Sequence, residues 1–395
     1  MKNLLKKVSR IVSSKRNKLV KPVIIIILAA VAVSFIIFYA GHFLFEKVPE
    51  KQPDTVPPAT THEGKPEMKP LPLKYTHNTE YINGYKQQVH VLEVGLSDPR
   101  IEVKPILSFD KVFGFEKLSE MVKRSGAYAA INSGFYHKYG QPSGMVVIDG
   151  KMFSNSTGKY PVFVIKDGKA GLHEIQTKLW INFPGGKFRV DNINAEGKKG
   201  EVVVFTPEYG SSNKVVSENT TVVVRNGLAE QIVKAKGETG IPKDGMLITF
   251  FSPVKGDIPF KTGDALEFEF EPYMDNNSQA YECGSWIVKD GEIVIGEWDE
   301  WVGVLTNRDP RTAIGLKDDG TVVLLVVDGR QPEFSAGLKG YELGELLLKY
   351  GVKNAAMLDG GASTEMIIDG RIVNKPSFKG EERPLAGGII VKVNK

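Results

Sequence analysis

The chain has 395 residues, a single cysteine (Cys283) and a formal net charge of +4. That length admits one large domain or two ordinary ones, and one cysteine excludes an intrachain disulfide. Much of the basic excess sits at the extreme N-terminus, so the body is near neutral and no nucleic-acid partner is expected.

Residues 1–21 carry Lys2, Lys6, Lys7, Arg10, Lys15, Arg16, Lys18 and Lys21 and no acid. Pro22 to Phe45 then runs without a charge. At about 1.5 Å rise per residue such a run matches a hydrocarbon core of roughly 30 Å. The expectation is a transmembrane helix over 22–45, with the basic tail cytoplasmic and the C-terminal domain extracellular at the cell membrane. The rival, a cleaved signal peptide, fits less well: the run is long and no small-x-small site ends it. Residues 46–74 are rich in proline, threonine and charge, and read as a stiff solvated linker. Residues 75–395 are expected to form one globular domain.

Within that domain, short apolar runs alternate with turn signals. "VVIDGKMF", "FVIKDGKAGL", "WIVKDGEIVI", "GLKDDGTVVLLVV", "IIDGRIV" and "VVVRNGLAEQIV" each place Asp-Gly or Asn-Gly between two such runs. These dipeptides supply the positive-φ positions of tight hairpins, so Asp149, Asp167, Asp290, Asp319 and Asp369 read as turn residues. "KQQVHVLEVGLSDPRIEVKPILS" reads as two strands about Asp98-Pro99, and "FEKLSEMVKRSG" as a short amphipathic helix ending at Gly126.

Two Asp-Gly pairs behave differently. "VVLLVVDGRQPEFSAGL" leaves its strand at Asp328 for a loop, and "NAAMLDGGASTEM" does so at Asp359. Between them Tyr341, Leu343, Leu346, Leu347 and Tyr350 recur at helical spacing before Gly351. Strand, helix, strand is the crossover that joins parallel strands. The expected fold class is therefore α+β: a mixed, hairpin-rich sheet with a βαβ crossover near the C-terminus, preceded by the transmembrane helix. Both aspartates then sit at carboxyl ends on one sheet edge, roughly 5–10 Å apart. Gly360 and Gly361 let a ligand approach the main chain, and their N–H groups suit an anion-binding concavity. Ser363 and Thr364 add hydroxyl donors. This wall suits a polyoxygenated, anionic ligand.

"TNRDPRTAIGL" places Arg308 and Arg311 ahead of a strand, where a guanidinium suits phosphate or carboxylate. "AAINSGFYHKYGQPSGMVV" ends a strand at Asn132 and turns through Gly134 and Gly144; Asn132 either holds a sugar hydroxyl or caps its own turn. His137 reads as a solvated loop residue. No metal-ligand spacing of His, Cys or acids occurs, and no G-x-S-x-G elbow, Walker loop or dinucleotide fingerprint. No cofactor is expected; acidic loops beside phosphate leave room for a divalent cation that no ligand pattern specifies.

Taken in order, "AINSGFY…PSGMVVIDGK", "PRTAIG", "VDGRQPEFSAGLKGYELGELL", "LDGGASTEM" and "RPLAGGIIV" resemble the phosphodiester glycosidase family, from about Ala127 to the C-terminus. Some bacterial members are described as exopolysaccharide proteins. The resemblance implies hydrolysis of a sugar-1-phosphodiester on its glycosidic side. It implies that Asn132 and Gly134 match the family's N-G-G-F loop, Arg311 its P-R-T-A-I-G arginine, Asp328 and Arg330 its V-D-G-R segment. Asp359, Gly360, Gly361, Ser363 and Thr364 match its L-D-G-G-G-S-S-T loop. Ser133, Ala362, Cys283 and Ser285 stand where glycines are usual, and His137 where an acid is common; these departures bear on substrate choice.

Ordinary glycosidases use two carboxyl groups, one to protonate the leaving oxygen. A phosphodiester leaving group is already a stable anion, so one carboxylate suffices and a cation on the phosphate matters more. The expectation is that Asp359 or Asp328 acts at the anomeric carbon or on its attacking water, with Arg311 or Arg330 on the phosphate. Asn132, Gly134, Gly360, Gly361, Ser363 and Thr364 would bind substrate. The expected partner is a carbohydrate phosphodiester in a surface glycopolymer or glycoconjugate. Two rivals use the same groups: a non-catalytic module binding an anionic glycopolymer, and a glycosyl transferase acting on exopolysaccharide.

Overall fold

The computed structural model describes residues 70–254 and 256–394. The expected transmembrane helix over 22–45, the basic tail and most of the linker lie outside these residues. No helix among the described residues is long and apolar enough to cross a membrane. The compact unit that holds the described residues runs Lys69–Lys395.

The expected α+β class is corrected. Among the described residues there are 27 strands and two α-helices, Leu118–Ser125 and Gly340–Lys349, so the protein is mostly β. The sequence signals for those two helices are strong, but the rest of the chain is a succession of hairpins. Asp149, Gly150, Asp167, Gly168, Asn226, Gly227, Asp290, Gly291, Asp369 and Gly370 all have positive φ. Two successive positive-φ residues make the turn whose twist matches paired strands, which is why each of these dipeptides closes a hairpin.

Two sheets position the site. The larger has seven strands in the order Leu73–Ile82, Tyr85–Val94, Val322–Val327, Arg311–Lys317, Val352–Met357, Trp286–Lys289, Glu292–Ile293. Arg311–Lys317 pairs antiparallel with both Val322–Val327 and Val352–Met357. The last two are therefore parallel to each other with one strand between them, and Gly340–Lys349 crosses from one to the other. No neighbouring pair in this sheet is parallel. The smaller sheet has five strands in the order Arg371–Ile372, Met366–Ile368, Ala129–Asn132, Gly387–Val393, Ile101–Leu107.

Alternation explains the layering. In Val322–Val327, residues Val322, Leu324 and Val326 join Ile131, Met366 and Ile389 of the smaller sheet in one core. Val323, Leu325 and Val327 face the other way and pack with Leu343, Leu346 and Leu347 of the crossover helix. A strand covered on both faces reads as a continuous apolar run, which is why "VVLLVV" shows no polar alternation. On the far side of the smaller sheet, Ile106, Ala130 and Ile367 pack with Leu118, Met121 and Val122 of the short helix. The result is helix, sheet, sheet, helix. Each buried Val, Leu or Ile contributes roughly 1.5–3 kcal/mol, so the two sheet interfaces dominate stability.

The crossover helix approaches the sheet closely at Gly344, where a Cβ would lie 2.8 Å from Ile293 Cγ2. Its first turn is closed by Glu342, whose carboxylate accepts the Lys339 N–H at 3.1 Å. The remaining strands form further sheets beside this sandwich; one of five strands runs Asn192–Ile193, Val202–Phe205, Gly245–Phe251, Asn219–Arg225, Leu228–Ala235.

Candidate active site

The loops after Asn132, Asp328 and Asp359 come together at one end of the two sheets, and Asn132 joins them. It is 1% exposed. Its amide donates to Asp359 O at 2.6 Å and Ser133 O at 3.1 Å. Its Oδ1 accepts the Thr312 hydroxyl at 2.9 Å and the Glu365 N–H at 3.1 Å. Each polar atom of the side chain is engaged by the protein, so Asn132 shapes the site and is not presented to a sugar. Gly134 is also a packing position: its N–H donates to Tyr281 Oη at 3.1 Å, and a Cβ there would lie 3.0 Å from that ring.

Asp328 and Asp359 have different environments. Asp328 is 1% exposed. Its carboxylate accepts the Asn374 amide at 3.0 Å and the Lys375 N–H at 3.0 and 3.1 Å, and lies 3.3 Å from His90 Nε2. His90 Nδ1 meets Tyr75 Oη at 2.8 Å, and its ring stacks on His77 with centroids 4.3 Å apart. Asp328 is thus the buried end of a polar chain that ties the Val322–Val327 strand to Leu73–Ile82 and Tyr85–Val94. It does not share an open crevice with Asp359.

Asp359 is partly exposed. Burial raises its carboxyl above the usual aspartate value; the Ser363 hydroxyl, the Arg383 cation and the Gly360 N–H oppose the rise without cancelling it. Ser363 Oγ is itself buried and makes no hydrogen bond of ordinary geometry with any group. Arg383 Nη2 donates to Tyr136 Oη at 2.8 Å. Burial raises the Tyr136 phenol, Arg383 opposes, and the Asp359 charge adds to the rise. Asp359, Arg383, Tyr136 and Ser363 therefore form one electrostatic group.

The glycines serve close approach more than anion binding. A Cβ on Gly360 would lie 2.7 Å from Pro310 O, and Gly361 sits at φ 58° with Arg330 Nη2 3.0 Å from where its Cβ would be. The N–H groups of Asp359, Gly361, Ser363 and Thr364 donate to Ser133, Pro310, Gly360 and Gly361 carbonyls. Of the two glycine N–H groups expected to form an anion-binding concavity, that of Gly361 is thus engaged by Pro310 O, while that of Gly360 acts on the Asp359 carboxyl. Thr364 is 1% exposed and faces Thr312 Oγ1 at 3.4 Å.

The arginines also differ. Arg308 is held by Glu342 at 2.5 and 2.7 Å and lies over the Tyr85 ring, bracing the crossover helix. Arg311 is 1% exposed and donates to Leu338 O at 2.8 Å and Asn307 O at 3.0 Å. Burial lowers its pKa, Asp309 opposes and Arg330 adds. It faces the helix side, as Ala313 does two residues later. Arg330 is half exposed, bound to Asp309 at 2.8 Å and lying against Gly361, so it reaches the mouth of the site. Arg383, whose charge acts on the Asp359 carboxyl, was not singled out by sequence, although "RPLAGGIIV" contains it.

Behind the Asp359–Thr364 loop lies a second acid, Glu365, 1% exposed with Oε1 unpartnered. Burial pushes its carboxyl up to about 9, the neighbouring Glu382 adds to the rise, and Lys117 opposes. Glu382 is fixed by the Ser119 N–H at 2.6 Å and hydroxyl at 2.7 Å, at the start of the Leu118–Ser125 helix. Among the described residues no group of three or more His, Cys, Asp or Glu side chains is arranged to hold a metal ion.

The phosphodiester glycosidase family model matches residues 202–392. The chain resembles the phosphodiester glycosidases. That family is one of hydrolases. The human N-acetylglucosamine-1-phosphodiester alpha-N-acetylglucosaminidase is 31% identical over 170 residues, 41% of this chain and 30% of that protein. An uncharacterized SPbeta prophage-derived protein of Bacillus subtilis, YomE, is 29% identical over 189 residues, 46% of this chain and 26% of that protein. The chain thus spans about a quarter to a third of the length of these curated relatives. A hypothetical protein from Synechocystis shares the fold, with TM-score 0.69 at 20% identity over 82% of this chain and 62% of that one. The family match includes Arg311, Asp328, Asp359 and Arg383, while the Asn132 loop precedes it.

Two outcomes follow from the buried groups. Asp328→Asn turns one acceptor oxygen of a buried, hydrogen-bonded carboxylate into a donor facing the Asn374 and Lys375 donors or His90, and is expected to lower unfolding free energy by about 1–3 kcal/mol, read by chemical denaturation. Glu365 has a folded pKa above its ordinary 4.5, so the folded state holds the extra proton between that value and about 9. Its contribution to stability is complete at low pH and is lost as pH rises through this window. Glu365→Gln is expected to flatten the fall of melting temperature between about pH 5 and pH 9; an unchanged slope would reassign the titration.

Proposed function

We propose that the protein hydrolyses a sugar-1-phosphodiester at the bond between the anomeric carbon and the bridging oxygen, with Asp359 as the acting carboxylate and Arg383 as the cation on the phosphate. The observation that carries this reading is a partly exposed aspartate, Asp359, at the end of a strand, whose charge is felt by the hydrogen-bonded Arg383–Tyr136 pair, in a chain that matches the phosphodiester glycosidase family. Of the two carboxylates expected from sequence, Asp328 is engaged within the fold, so one remains available. A single carboxylate fits a leaving group that departs as a phosphomonoester and needs no strong acid, whereas an ordinary glycoside needs two.

In this reading Asp359 attacks the anomeric carbon or deprotonates a water that does so, while Arg383 and Arg330 balance the charge that builds on the departing phosphate. Tyr136, bound to Arg383, orients the guanidinium. The raised pKa of Asp359 follows from its burial and makes the carboxylate a better base at neutral pH than a solvated aspartate. The curated relatives named for N-acetylglucosamine-1-phosphodiester chemistry and the charge at the site support the sugar-1-phosphodiester link, and the substrate proposed to carry it is a surface glycopolymer or glycoconjugate.

The test uses the purified protein with UDP-N-acetylglucosamine and a small panel of sugar-1-phosphodiesters, assayed for free sugar. Asp359→Asn is expected to lower kcat/KM by about 10²–10⁴ and Arg383→Ala by about 10²–10³, each with the melting temperature close to that of the native protein. The rate is expected to fall on acidification with a midpoint above the ordinary aspartate value. Full turnover in folded Asp359→Asn would sink the assignment. Binding of the esters without any release would favour the glycopolymer-binding module.

A further inference from the structure

Beside the Asp359 site, on the far side of one loop, is a cleft of about 970 Å³. It is bounded by that loop, residues 136–142, and by the segment around Tyr209 to Ser217. Known ligand cavities span roughly 300–1,000 Å³, so this one lies at the upper end and has room for more than one sugar ring.

The loop belongs to both places. Its first residue, Tyr136, accepts the Arg383 hydrogen bond and senses the Asp359 charge. Its next, His137, lies 5.3 Å from the Trp301 ring and lines the cleft. Tyr139 lines it too, 75% exposed and held at φ 63°. The loop is closed on itself by a Tyr136–Pro142 bridge and fastened to its neighbour by the Gly114 N–H, which donates to Tyr139 O at 2.8 Å. A bulky exposed ring at positive φ is uncommon and is held there by the surrounding structure.

The opposite rim repeats the pattern. Lys214 is exposed at φ 53°, with Nζ 4.2 Å from the Phe113 ring centre and 5.2 Å from that of Tyr209. Neither Lys214 nor Lys138, which also lines the cleft, has a carboxylate partner among the described residues. One acid, Glu196, also lines the cleft and its charge reaches Tyr209, so the two lysines leave the lining with a net positive charge. Aromatic groups with a net positive charge suit a ligand whose surface alternates C–H faces with negative charge.

Resting on the hydrolase reading, we propose that this cleft binds the aglycone of the substrate, and that this aglycone is an oligosaccharide segment bearing a further phosphate. The exposed Tyr139 ring lies along the face of a sugar, Phe113 and Tyr209 hold Lys214 in place, and Lys138 and Lys214 meet the phosphate. Tyr136, bonded to Arg383, is followed directly by His137, Lys138 and Tyr139, which line the cleft, so an aglycone long enough to pass this loop reaches it. The protein therefore selects a polymer over a small phosphodiester by what lies beyond the bond it cuts.

The test compares two esters of the same sugar-1-phosphate, one with a methyl aglycone and one with a phosphorylated trisaccharide. It adds calorimetric binding of that trisaccharide alone, with and without its phosphate, to the full chain. The native protein is expected to show a lower KM for the trisaccharide ester. Tyr139→Ala and Lys214→Ala are each expected to narrow that KM gap roughly tenfold, with kcat little changed, and to weaken trisaccharide binding by a similar factor. The effect of Lys214→Ala should vanish when the phosphate is absent, and that of Tyr139→Ala should persist. Equal KM for both esters, or trisaccharide binding that both variants retain, overturns the proposal. If neither ester is cut, the hydrolase reading fails, and calorimetry alone decides the cleft: binding weakened by both substitutions sustains it as a glycan site, and no binding refutes it.

Discussion

The side-chain amide of Asn132 is the constraint from which the rest of the site follows. It sits between the two sheets and bonds to Thr312 on one, to Glu365 beside the other, and to the backbone of Asp359 in the loop between them. These partners are 180, 227 and 233 residues away in the chain. All three bonds lie in buried or part-buried surroundings, where an unsatisfied donor or acceptor costs about 1–3 kcal/mol. The two sheets can therefore close only in the arrangement that also fixes the Asp359 loop. A four-layer sandwich needs its apolar faces to meet; this amide specifies the register in which they meet at the functional end.

That fixed loop explains how a raised carboxyl pKa is maintained. Burial alone would push Asp359 further from ionisation, and Arg383 and the Gly360 N–H hold it within reach. The balance depends on a guanidinium whose own direction is set by Tyr136. Asp328 has the opposite role. Its carboxylate accepts three protein hydrogen bonds and meets His90, so its charge is tied to the fold. Two aspartates at the ends of parallel strands thus diverge, one in a closed network and one at an opening, and the proposed chemistry uses just the open one.

The local parts of this arrangement were legible in the sequence. Asp-Gly and Asn-Gly marked the hairpins because positive φ at two successive residues is a property of the dipeptide itself. The crossover helix showed in the spacing of Leu343, Leu346 and Leu347, and the loop at Asp359 stood out because a strand ran into two glycines. What could not be read was set by pairing. The α+β expectation gave weight to one crossover, and the strand Arg311–Lys317 lies between the two parallel strands and makes their sheet antiparallel throughout. Asp328 looked equivalent to Asp359 because His90, its neighbour, is 238 positions earlier and arrives through the Tyr85–Val94 pairing with Val322–Val327. Arg383 gained its place only because Gly388 pairs with Asn132, which brings the start of the last strand beside the Tyr136 loop.

If Asp359 acts at the anomeric carbon, the bond broken lies on the sugar side of the bridging oxygen. Hydrolysis of a sugar-1-phosphodiester in ¹⁸O-labelled water, followed by mass analysis of the released phosphomonoester, tests this directly. Attack at the anomeric carbon leaves the bridging oxygen on phosphorus, so the phosphomonoester is expected to be unlabelled. Label in the phosphomonoester would mean attack at phosphorus, and would contradict the proposed roles of Asp359 and Arg383.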